Sequence, residues 1–197
     1  MKTIQDLKSA LESGSTTAEK LAEESLAAIE KNKSLNAYIS VLAERALQKA
    51  KESDERRKAG KSLGALDGIP VAIKDNLCLE GSRTTAASKM LEHFVSPYTA
   101  TAVEKIEAQG AVIVGKTNMD EFAMGSSSES SYFGPVENPI DASRVPGGSS
   151  GGSAVAVKAE TVPVALGSDT GDRFANPQPA RASSVSSPHT DAFRVTA

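Results

Sequence analysis

Apolar residues recur at helical spacing up to about residue 60, and short continuous apolar runs replace that pattern afterwards. Ile4, Leu7 and Leu11 predict a short helix stopped by Ser13-Gly14. A second helix is expected where Thr16 and Glu19 fit a capping box. Leu21, Ala22, Leu26, Ala28 and Ile29 form its apolar side and Lys31 to Lys33 its basic end. Residues 36–42 suit a short extended piece. Ala43, Ala46, Leu47 and Ala50 lie on one face of a third helix over 43–59, ended by Gly60.

Beyond residue 64 the apolar runs have strand length. Residues 69–73 end at Lys74-Asp75-Asn76, residues 111–114 at Gly115-Lys116-Thr117, and residues 162–166 at Gly167-Ser168. One helix is predicted from about Thr99 to Gln109, and another starts near Gly151 and runs through Ala154 to Ala159. Apolar runs alternating with helices imply an α/β protein whose sheet is covered on both faces and whose functional groups gather at strand ends. Lys74 and Ser168 stand at such ends. Residues 125–153 are loop-like and dense in Gly, Ser and Pro, the kind of long connection that more often carries function than not.

Composition narrows the function classes. With 39% hydrophobic and 24% charged residues, the 197-residue chain can bury one real core. A net charge of −3 and the lack of a basic stripe argue against broad binding to nucleic acid or an anionic membrane. One cysteine, Cys78, excludes an internal disulfide, and with only His93 and His189 a zinc centre is not expected. The polar amphipathic start and the absence of a long apolar run point to a soluble, cytoplasmic protein. Residues 172–197 contain no Leu, Ile, Lys or Gly and no periodicity, and are expected to be a disordered tail outside a domain of residues 1–171.

Three written motifs fail on context. Gly110 to Thr117 matches the P-loop pattern, yet its middle is itself the strand and the helix precedes it, so no loop is left to cradle phosphate. Gly147-Gly-Ser149-Ser-Gly151 matches a nucleophile elbow but lacks the apolar strand upstream. Asp169-Thr-Gly171 matches an aspartic-protease triplet in a chain that does not read as all-β. The glycines and serines of 146–153 read first as a flexible linker. They also suit a loop whose amides and hydroxyls converge on an anionic tetrahedral intermediate.

Four strings decide between these readings: GIPVAIKDN (68–76), TNMDEFAMGSSSESSYFGPVENP (117–139), PGGSSGGSAVAV (146–157) and VALGSDTG (164–171). Together they resemble the amidase-signature family, and the MDEFAMGSS string is similar more narrowly to the A subunits of glutamyl-tRNA(Gln) amidotransferases. The resemblance runs from near the N-terminus to Gly171. It implies the N-terminal part of an α/β/α sandwich with a mixed central sheet, incomplete in this chain, and a Ser-cisSer-Lys triad. Lys74 matches the family lysine, and Ser149 the bridging serine that follows a cis peptide bond. Ser150 matches the residue supporting that turn, and Met124 and Gly125 match positions lining the substrate pocket.

Such a triad works only with Lys74 neutral, because an ammonium cannot accept a proton. Ser149 then relays a proton from the nucleophile to Lys74, ammonia leaves a carboxamide, and backbone amides from Thr170 and Gly171 to position 173 hold the oxyanion. The implied reaction is hydrolysis of glutamine, whose ammonia converts Glu-tRNA(Gln) to Gln-tRNA(Gln) in a heterotrimer with subunits B and C. This chain is expected to carry no cofactor and no metal, ATP and magnesium belonging to the partner. The compartment is organellar if the source is eukaryotic. A stand-alone amidase and a truncated non-catalytic interaction protein are the alternatives.

The chain departs from the family after Gly171. The family continues GSDTGGSIRQP, and its nucleophilic serine falls on position 173, which is Arg173. Writing Gly-Ser-Ile-Arg-Gln-Pro as GGA TCG ATT CGC CAA CCN and deleting one G gives GAT CGA TTC GCC AAC C. That encodes Asp172, Arg173, Phe174, Ala175 and Asn176, with Pro177 able to follow. A single-nucleotide deletion at codon 172 therefore accounts for the departure. Arginine cannot replace the serine, being permanently charged and non-nucleophilic near neutral pH. Sequencing the genomic locus is expected to show either one further nucleotide at codon 172 or the family's codons in the adjacent frame; neither being present sinks the frameshift.

Overall fold

The computed structural model describes residues 3–169, 184–186 and 193–196. Helix α1 (Ile4–Glu12) opens on a reciprocal capping box. The Thr3 hydroxyl accepts from the Asp6 amide and the Asp6 carboxylate from the Thr3 amide, and Leu7 and Leu11 turn inward. Helix α2 (Ala18–Lys31) is capped one residue later than the Thr16 and Glu19 pairing predicts. Thr17 accepts from the Lys20 amide at 3.1 Å, while Asp54 accepts from the Ala18 and Glu19 amides at 2.8 and 3.0 Å. Asp54 belongs to α3 (Ala43–Lys58). A carboxylate delivered from another helix satisfies the free amides of the first turn, which no local pattern can reveal.

Strand β1 (Tyr38–Val41) lies antiparallel to β3 (Val112–Thr117) at one side of the sheet. Strand β2 (Pro70–Lys74) runs parallel to both β3 and β4 (Val164–Gly167), giving the order β1-β3-β2-β4. Between β2 and β3 the chain passes through α4 (Thr101–Ala108), and between β3 and β4 through α5 (Gly151–Lys158). The continuous apolar runs resolve into two alternating faces. Ala72, Val112, Val114 and Ala165 pack with Leu21 and Ile29 of α2, Ala46 and Ala50 of α3, and Ala156 and Val157 of α5. Val71, Ile73, Ile113 and Val164 pack with Val103 and Ile106 of α4 and with Leu79. The chain leaves β2 toward β3 and returns past it to β4, so the carboxyl ends of β2 and β4 meet where the strand order reverses, the position that holds ligands in open α/β sheets.

Strand β3 extends through Gly115, Lys116 and Thr117, all buried, where the apolar run predicts a strand end. A Cβ at Gly115 would stand 2.8 Å from the Ser40 carbonyl, so the glycine admits β1 alongside. Beyond β4, short strands β5 (Ser184–Ser186) and β6 (Phe193–Thr196) continue the sheet, β6 antiparallel to β4 and β5 to β6. An open edge offers unpaired backbone groups to any extended segment. The remainder of 172–197 lies outside the described residues.

A buried carboxylate ties α3 to the loop entering β2. Asp67 accepts from Ser53 Oγ and Arg56 Nη2, both at 2.8 Å, Leu63 N at 2.9 Å and Ser62 Oγ at 3.0 Å. Burial pushes its carboxyl up, but these donors, Arg56 foremost, hold it below the ordinary value. Its stabilising effect is therefore present above the unfolded aspartate pKa and lost as pH falls through the folded one. Asp67→Asn is expected to lower stability at pH 7 by about 2 kcal/mol. The gap should narrow below about pH 4, as read from urea unfolding at each pH.

Candidate active site

The side chain of Lys74, the last residue of β2, is fully buried. Its Nζ lies 2.7 Å from Ser149 Oγ, 3.0 Å from Ser168 Oγ and 3.4 Å from the Ser168 carbonyl. Asn76 Nδ2 donates to the same Ser168 hydroxyl at 2.9 Å. Register places these groups together: Ile73 pairs with Leu166, so the chain leaving β4 passes the end of β2 at Ser168. Burial lowers the Lys74 amine to about 8, against the opposing charges of Asp120 and Asp169. At pH 7 about a tenth of such an amine is neutral.

Ser149 is brought to Lys74 by the turn before α5. The Gly148–Ser149 peptide is cis, and Gly147 has φ 88°, a conformation open to glycine and costly to residues with a Cβ. The other glycines admit close neighbours. A Cβ at Gly148 would fall 2.2 Å from Asp120 Oδ2, one at Gly151 2.3 Å from Ser128 Oγ, and one at Gly152 2.3 Å from the Asn118 carbonyl. The stretch is packed on three sides, which removes the linker reading. Ser150 Oγ donates to the Ser168 carbonyl at 3.1 Å and accepts from the Ser168 amide at 3.2 Å, so it clamps the end of β4. Ser153 Oγ joins Thr117 Oγ1 at 2.7 Å and donates to the Leu166 carbonyl at 3.0 Å, fastening the first turn of α5 between β3 and β4.

A second buried amine lies beside the first. Lys116 Nζ stands 3.3 Å from Asp75 Oδ1 and donates to Thr84 Oγ1 at 2.9 Å. The other Asp75 oxygen accepts from the Thr85 amide and hydroxyl. Burial pushes the Lys116 amine down, opposed by Asp75. Lys116 is fully enclosed and cannot reach a ligand, the physical end of the P-loop reading.

The amidase family profile matches residues 20–177. The chain belongs to the amidase family. It is 52% identical over 177 residues to the A subunit of the glutamyl-tRNA(Gln) amidotransferase of Thioalkalivibrio sulfidiphilus, a match covering 89% of this chain and 36% of that protein. Among solved structures it superposes with TM-score 0.82 and 42% identity on a chain of a vestigial protein complex described as revealing the origins of an s-triazine catabolic enzyme, covering 86% of this chain and 37% of the other. With the native peptide amidase of Stenotrophomonas maltophilia the TM-score is 0.81 and the identity 35%, over 85% and 36% of the two chains. The α/β fold with its mixed sheet is thus that of the family, and the chain spans little more than a third of the relatives it matches.

Of the residues the family resemblance selects, Lys74, Ser149 and Ser150 meet at the β2 and β4 ends. Gly125 packs against the Asp120 carboxylate, where a Cβ would stand 2.2 Å from Asp120 Cγ, and Met124 is exposed at the end of the preceding turn. Thr170, Gly171 and Arg173 lie outside the described residues. Ser168, placed at a strand end by the apolar run, does meet Lys74, whereas the sequence pattern marks neither Asp120 nor Asn76. The available signal was an acid followed at short range by Gly125, Ser128 and Ser130, small residues whose amides can close on one carboxylate.

The Lys74 environment makes a pH prediction. Its folded pKa lies below the unfolded value of 10.5, so between about 8 and 10.5 the unfolded chain binds more protons and stability rises with pH. Lys74→Met lacks that rise. The stability difference between the two proteins should change by about 3 kcal/mol across the window, and parallel urea-denaturation profiles would show a solvated lysine instead.

Proposed function

We propose that this chain is the N-terminal part of a glutamine-hydrolysing subunit of a tRNA-dependent amidotransferase, a carbon–nitrogen ligase that supplies ammonia for converting Glu-tRNA(Gln) to Gln-tRNA(Gln). The observation that carries the reading is the 2.7 Å contact between a buried, pKa-lowered Lys74 and Ser149, in a chain about half identical to such subunits. Lys74 is the terminal base and Ser149 the proton relay of a Ser-cisSer-Lys triad. Burial keeps a fraction of the amine neutral, and the 2.7 Å contact gives the proton a direct path. Met124 and Gly125 belong to the substrate side, and Thr170 and Gly171 to the oxyanion side. ATP, magnesium and tRNA are handled by the partner subunits B and C, in the cytoplasm or an organelle.

The chain as written has Arg173 where the family nucleophile stands, so it forms no acyl-enzyme and is inactive in this reading. Incubated with glutamine, it is expected to release no ammonia above a blank. The chain with the family reading frame restored at codon 172 is expected to release it, and Lys74→Ala or Ser149→Ala in that chain should lower the rate at least about 10³-fold. Glutamate formation by the Arg173 chain overturns its inactivity; an unreactive restored chain overturns the glutaminase reading.

A further inference from the structure

Asp120 lies in the turn after β3, and its side chain is 1% exposed. Its contacts converge on the turn that carries Ser149 by three routes. The Asp120 amide donates to the Ser149 carbonyl at 3.2 Å. The carboxylate occupies the space a side chain at position 148 would need, so Gly148 lies directly against it. Finally, Asp120 Oδ2 accepts from the Ser128 amide at 3.0 Å. Ser128 Oγ in turn donates to the Gly147 carbonyl at 2.9 Å and accepts from the Gly151 amide at 3.0 Å. Both ends of the turn are thus held by one residue that Asp120 fixes. The other oxygen, Oδ1, accepts from Ser130 Oγ at 2.9 Å and the Ser130 amide at 3.4 Å, and Gly125 closes the remaining side.

We propose that Asp120 is the positioning residue of this site: its buried carboxylate locks the 147–151 turn so that Ser149 Oγ stays on Lys74 Nζ. This rests on the reading of Lys74 and Ser149 as the proton-transfer pair and assigns what sets their geometry and protonation. A carboxylate suits the task because four donors can close on two oxygens with fixed directions, and buried charge-assisted bonds are the stiffest available. The same charge opposes the desolvation of Lys74 and so limits the fall of its amine to about 8. The groups acting on Lys74 are Asp120 from the β3 turn and Asp169 from beyond β4, with Asp75 next in the chain after β2 and paired with Lys116 of β3.

The test reads protonation and amide exchange in the chain as it exists, so it stands or falls independently of glutamine hydrolysis. Lys74 is followed by NMR of its ε-carbon through a pH titration, assigned by its loss in Lys74→Met. In Asp120→Asn the midpoint is expected to fall by about one unit from the wild-type value, because one of the two facing negative charges is gone. An unchanged or higher midpoint in a folded variant overturns the proposal. Ser128→Ala keeps the charge and removes the bridge, so the Lys74 midpoint should hold while the Gly151 amide exchanges at least about ten times faster. If Asp120→Asn does not fold, the Ser128→Ala measurement decides: Gly151 exchange at the wild-type rate overturns the proposal.

Discussion

Removing an ammonium from water at the end of a buried strand is unfavourable unless oxygen atoms replace the water. At the end of β2 those oxygens are the hydroxyls of Ser149 and Ser168 and the Ser168 carbonyl. They come from two separate parts of the chain, so enclosing Lys74 requires β4 beside β2 and the cis turn packed above both. The constraint runs in both directions. The strands place the amine, and the need to satisfy it selects the turn. Incomplete replacement of water leaves the amine near pH 8, within reach of proton transfer at physiological pH.

The surrounding polar interior follows the same logic with opposite sign. Asp120, Asp75 and Asp67 are buried carboxylates, and each is surrounded by donors from other segments: serine amides and hydroxyls around Asp120, Thr85 and Lys116 around Asp75, and Arg56, Ser53, Ser62 and Leu63 around Asp67. Such groups do little for net stability compared with a well-packed apolar core, but their directional bonds leave few alternative arrangements. Here they join loops to one another and to helix α3 and strand β3. The 121–131 segment, which has little regular structure, is held by Asp120 at its start and through Ser128 and Ser130. Phe122 and Tyr132 also donate backbone hydrogen bonds to the carbonyls of Ala86 and Ala87, both at 2.9 Å.

Family membership and the local geometry support the same chemistry from independent directions. Similarity concerns the whole of residues 20–177, whereas the Lys74 and Ser149 contact is a feature of a few atoms. At position 173, where the family resemblance expects a serine, this sequence carries an arginine.

The strand and helix order was legible because apolar runs and helical spacing are local: β2, β3, β4 and α1 to α5 lie within a few residues of where periodicity predicts them. The candidate pair was legible only through long ordered strings shared with a family, since a lone lysine at a strand end and a Gly-Ser stretch have commoner explanations. Asp54 capping α2, the extension of β3 through Lys116, the pairing of 193–196 on β4 and the Asp120 clamp were not legible. Each depends on a partner outside its own segment. The sequence by itself determined the α/β class, the family and the absence of a serine at 173. Tertiary structure alone decided that a Gly-Ser stretch is a packed turn and that burial lowers the pKa of a strand-end lysine, because burial and direction of approach are properties of neighbours that only folding brings together.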